Sequence, residues 1–156
     1  MATPEHRTPI PKAPFWLAAG GLIPFVVIAG AMWALPADYT QPLVIWLTAY
    51  AAVMLSFAGG LHWGLSMLHP EMTEQDRGVF MAWSAVPAVV GWVSLIMPTM
   101  KTGLILLITT FVIQYAADRQ LAQRFRVPSW YLRLRAGLTA VAVLCLVLAL
   151  IHLART

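Results

Sequence analysis

At 156 residues the chain has the length of one domain, but 60% of its residues are hydrophobic, 10% are charged and the mean hydropathy is +0.76. Soluble domains carry about 25% charged residues, and a small domain leaves too much surface exposed to hide this much apolar material from water. The net charge of +4 does not point to nucleic acid: five of the ten basic residues lie between Arg119 and Arg135, beside apolar runs, with no basic-aromatic face.

Residues 1–14 contain Pro4, Pro9, Pro11 and Pro14 and read as an extended, flexible arm. Phe15 to Leu35 is the first expected membrane span, because some 20 helical residues cross a hydrocarbon layer of roughly 30 Å. It exceeds the roughly 7–15 apolar residues of a signal peptide and is expected to remain as an anchor. Pro24 predicts a kink within it.

The second span is expected over residues 42–68, with Pro42 in the first turn, where a missing N–H costs nothing. Thr73 followed by Asp76 resembles a capping box with an acidic first turn, and opens a third span over residues 77–97 that contains Pro87. The fourth span, residues 102–120, has an apolar stretch (Gly103 to Ala117) of only about 22 Å, which Arg119 extends by snorkelling. Pro128 ends that element, and the fifth span covers residues 130–154. The expected fold is an all-α integral membrane bundle of five spans, in which short loops make sequential helices antiparallel neighbours.

With the N-terminus in the cytoplasm, Arg7, Lys12, Arg77, Arg119, Arg124, Arg126, Arg133 and Arg135 fall on the inner side. Only Lys101 and Arg155 fall outside. The positive-inside rule therefore predicts a cytoplasmic N-terminus and an external C-terminus, in a bacterial inner membrane. Tryptophans near the expected helix ends agree with these spans; Trp63 and Trp130, with Tyr131, are expected at the interface. Arg119, Arg124 and Arg126 are expected to meet anionic lipid head groups.

Ala52, Ser56, Gly60 and Gly64 recur every four residues and form a small-residue stripe, expected to serve close helix packing, within the chain or between chains. His62 points off that stripe, near the inner end of the second span. Asp118, Arg119 and Arg133 lie at the same depth, with Gln114 and Tyr115 about one turn deeper. Charge in hydrocarbon is expensive and normally paired, so His62, Asp118, Arg119 and Arg133 are candidates for one polar cluster. The alternative is that they are interfacial residues solvated by water and head groups.

No cofactor is expected. His69 shares a helix with His62, His152 lies near the opposite face and His6 is in the arm, so no partner for a bis-histidine haem is in place. Metal-ligand spacings, phosphate-binding glycine loops and nucleophile motifs are missing. The single cysteine, Cys145, allows no intrachain disulfide and reads as a small buried apolar residue.

Several segments in order resemble a known family: Gly21-Leu22-Ile23-Pro24-Phe25, the stretch Ser56 to Gly64 with His62-Trp63-Gly64, Asp118, and Trp130 to Arg135 with Thr139. They are similar to the small membrane proteins grouped as domain of unknown function three-four-two-nine, which includes the mitochondrial transmembrane protein sixty-nine. The resemblance covers most of the chain from about Pro14 onward. It implies that His62, Trp63, Asp118, Trp130 and Arg133 belong to the family pattern, and it implies no activity.

Three functions are compatible with these features. The first is a non-catalytic accessory subunit or assembly factor, joined to other membrane subunits or to copies of itself. The second is a small transporter or channel using the polar cluster, and the third a membrane protein that binds anionic lipid or a cofactor. Enzyme activity is not expected.

Overall fold

A computed structural model describes residues 9–155. Five long helices follow one another: α1 (Lys12–Ala34), α2 (Thr40–Leu68), α3 (Glu74–Leu95), α4 (Met100–Arg124) and α5 (Tyr131–Arg155). A single 3-10 turn, Ala37–Tyr39, joins the first two, and no strand occurs among the described residues. All five helices are long and apolar enough to cross a membrane.

Helix ends follow local chemistry. Residues 1–8 of the expected arm lie outside the described residues, but its last part is helical: α1 starts at Lys12, with Pro11 as N-cap and Pro14 in the first turn. Proline is tolerated there because the first helical N–H groups have no intrahelical partner. Thr73 caps α3, its hydroxyl accepting from the Asp76 N–H at 3.1 Å, and Thr99 caps α4 in the same way through Thr102 at 3.2 Å. The Arg77 guanidinium reaches back to the Ser66 and His69 carbonyls and so satisfies the C-terminus of α2. Helix α4 runs on through Asp118 to Arg124, about 37 Å in all, well beyond the short apolar stretch that marked it in sequence.

Helix α2 is the axis of the bundle and touches the other four. Helices α1 and α5 pack beside it on one side, α3 on another, and α4 closes the bundle between α3 and α5. The core is built from Phe25 and Met32 of α1, Leu47 and Leu55 of α2, Leu107 of α4 and Leu146 of α5. Large apolar side chains also cover the outside: Leu17 is 79% and Phe57 65% exposed. In water each such group would cost free energy, so the natural solvent of this surface is lipid.

Helices α2 and α3 approach closely through glycine. A Cβ added at Gly59 would stand 2.7 Å from the Ser84 carbonyl oxygen and 2.9 Å from the Pro87 ring. Gly91 also sits on Ala52, where an added Cβ would stand 3.1 Å from its carbonyl oxygen. The expected stripe of Ala52, Ser56, Gly60 and Gly64 therefore divides. Ala52 is buried and Ser56 half-buried, whereas Gly60 and Gly64 are exposed, with nothing near the position a Cβ would take. A four-residue repeat advances 400°, so it drifts about 40° per step and about 120° from Ala52 to Gly64. The face that stays on α3 follows mixed three- and four-residue steps and uses Gly59 instead.

Candidate functional site: a buried polar knot between three helices

Helix α4 carries Leu107, Phe111, Gln114, Asp118 and Leu121 on one buried face, at steps of three and four. This periodicity aims two polar side chains into the bundle with the apolar ones. Asp118 is fully buried, as is His62 of α2 opposite it. The His62 Nε2 lies 2.8 Å from Asp118 Oδ1. On the other side of the carboxylate, Arg135 of α5 donates from Nε to Oδ2 at 2.7 Å. The Tyr131 hydroxyl donates to Oδ1 at 3.2 Å, and the Gln114 amide approaches the same oxygen at 3.4 Å. Asp118 is thus the hub through which α2, α4 and α5 meet.

Proton placement follows from this geometry. The Trp83 indole N–H can only donate, and it donates to Gln114 Oε1 at 3.0 Å. That contact turns the amide nitrogen of Gln114 inward, toward Asp118 and the Ala58 carbonyl. A neutral His62 then carries its proton on Nε2, facing the carboxylate, and leaves Nδ1 as a bare lone pair. Nδ1 is the one buried side-chain nitrogen or oxygen without a hydrogen-bond partner among the described residues. The Ser66 hydroxyl back-bonds to the His62 carbonyl at 2.7 Å.

An apolar cap covers the knot on the side of the α2–α3 loop. Met72, Phe80, Leu121 and Phe125 form a second buried cluster. Phe80 packs edge-on to the His62 ring at 5.9 Å and to Phe125 at 5.8 Å. These rings exclude water from the charges, which makes the pairing both necessary and strong.

Of the four cluster candidates, His62 and Asp118 meet, while Arg119 and Arg133 are exposed and take no part in the Asp118 contacts. Arg119 follows Asp118 by 100° around α4 and so turns outward. Arg133 stands two residues, about 200°, from the arginine that does enter. Arg135 was missed in sequence. Its signal was register: Arg135, Ala142 and Ala149 lie seven residues apart on the buried face of α5. Tyr131, expected only at the interface, also reaches the hub, whereas Trp63 is half-exposed. Arg124 and Arg126 are exposed, and Arg124 lies 3.6 Å from Asp76. Among the described residues no three His, Cys, Asp or Glu side chains are grouped to hold a metal ion.

The comparisons with known proteins agree on one family. The model of the family described as protein of unknown function DUF3429 matches residues 10–151. Transmembrane protein 69 of Xenopus tropicalis is 34% identical over 143 residues, covering 91% of this chain and 55% of that protein. Transmembrane protein 69 of Mus musculus is 27% identical over 142 residues, covering 90% and 56%. The chain thus spans about half the length of these curated relatives. No solved structure matches. Matched from residue 10 to residue 151, with five helices able to cross a membrane, the chain belongs to the DUF3429 family of multi-pass membrane proteins.

Proposed function

We propose that this chain is a non-catalytic accessory subunit or assembly factor of a larger membrane complex, held in a bacterial cytoplasmic membrane with its N-terminus inside. The observation that carries this reading is the outward face of α2. Gly60 and Gly64, four residues apart, are exposed, with nothing among the described residues within 4 Å of where a Cβ would stand, while the internal contact with α3 uses Gly59. Small residues at this spacing let a second helix approach backbone to backbone, and in lipid such packing is a main source of helix association. The polar knot fits a structural role, since its charges are balanced internally and capped by aromatic rings. The exposed Arg119, Arg124 and Arg126 suit contact with anionic head groups on the inner side.

The test is gentle extraction from the native membrane through a C-terminal tag, with subunit identification and stoichiometry. The expected result is a reproducible set of other chains in a fixed ratio, lost when Gly60 and Gly64 are both replaced by leucine. Emergence alone, or only with copies of itself, would overturn the accessory reading.

A further inference from the structure

A cleft of about 730 Å³ opens between α1, α2 and α5. Its volume lies within the range of about 300–1,000 Å³ typical of small-molecule sites. The walls are almost wholly apolar, with Phe25, Phe57, Phe111 and Trp130 among them. Leu17 and Phe57, both strongly exposed, line the mouth, so an occupant enters sideways from lipid. Tyr131 and Arg135 of the knot form part of the lining, so the cleft reaches the charged hub.

Arg135 is buried, only 9% exposed, and still borders the cleft. Its guanidinium has five N–H donors in a fixed fork; Nε donates to Asp118, and the Tyr131 hydroxyl also interacts with the guanidinium. An occupant is therefore met by hydrogen-bond donors at the inner end and by apolar and aromatic walls along the rest. The net charge of the occupant follows from the balance already present. Asp118 neutralises Arg135, so an anionic head would bring an uncompensated charge into a low-dielectric site. A neutral carbonyl head accepts the hydrogen bonds without that cost, and a planar ring stacks on the aromatic walls.

We propose that this cleft binds a neutral lipid of the quinone class, its carbonyl oxygen toward Arg135 and its apolar tail leaving between α1 and α2. The proposal concerns binding alone and does not rest on the accessory reading.

The test uses the full chain in nanodiscs of neutral phosphatidylcholine, titrated with decylubiquinone, with empty discs as the partition control. Saturable binding of about one molecule per chain above the control is expected. Ala18→Trp and Leu138→Trp enlarge cleft-lining side chains outside the knot, and each should weaken binding about tenfold or more while the unfolding midpoint holds. Partition equal to that of empty discs would overturn the proposal even if neither variant folded. Binding unchanged in a folded, filled variant would also overturn it. Lipid extracted with the protein from its native membrane gives a further check: stoichiometric quinone supports the assignment, and stoichiometric phospholipid with no quinone refutes it.

Discussion

At one end of the bundle His62 is fully buried against Asp118, while at the other His152 is half-buried against Thr40 at 3.2 Å. Both ends gather a histidine, an arginine and aromatic rings. At the His152 end the rings of Trp33 and His152 meet at 5.3 Å, and Arg155 lies over Trp33 at 5.4 Å, all within reach of water or head groups. There, loose cation–π and edge contacts suffice, because solvent shares the work. At the His62 end no solvent is available, so the carboxylate collects four donors from three helices. Burial, rather than residue type, decides which end becomes a structural hub.

The largest effect is expected from Arg135→Met. It strands Asp118 as a buried, unpaired charge and should cost about 3–5 kcal/mol of stability, measured by unfolding in mixed micelles. An effect as small as that of a surface change would mean that Asp118 is not held as the geometry shows. Next, Gly59→Ala drives a Cβ into the Ser84 backbone and should cost about 1–3 kcal/mol. Its neighbour, Gly60→Ala, meets nothing and should change stability by less than about 0.5 kcal/mol. Equal effects at the two glycines would place the α2–α3 contact on a different face.

Gln114→Leu removes the acceptor of the Trp83 N–H and one donor to Asp118, at a cost of about 1–3 kcal/mol in the same unfolding assay. A smaller loss is expected at the solvated end. His152→Ala should cost about 0.5–1 kcal/mol, since water replaces the Thr40 contact. A loss there as large as that of Arg135→Met would erase the contrast between the ends.

The same contrast explains what the sequence disclosed. Five spans could be read because lipid-facing helices need about 20 apolar residues, and depth along each helix follows from counting. Depth was enough to bring His62 and Asp118 to one level. It was not enough to choose between Arg133 and Arg135, which share a level but face opposite ways on α5. Rotation about a helix axis is set by which neighbour it packs on, and in lipid an apolar face gives no inward signal. Gly60 and Gly59 were confused for the same reason: strict four-residue spacing looks like one stripe but winds around the helix. The cues that do report rotation were the small residues, Ala142 and Ala149 below Arg135 and Gly91 opposite Ala52. The cleft between α1, α2 and α5 had no sequence signal, because it is a gap left by packing rather than a pattern of residues.

Asp118 and Arg135 act as one unit, and a double-mutant cycle tests this most directly. Unfolding free energies of Asp118→Asn, Arg135→Met and the double variant would be compared with that of the unchanged chain. The geometry predicts strong coupling, about 2–3 kcal/mol, with the double variant losing much less than the sum of the single losses. Losses that add to within about 0.5 kcal/mol would show that the two residues do not meet, and the hub would not exist.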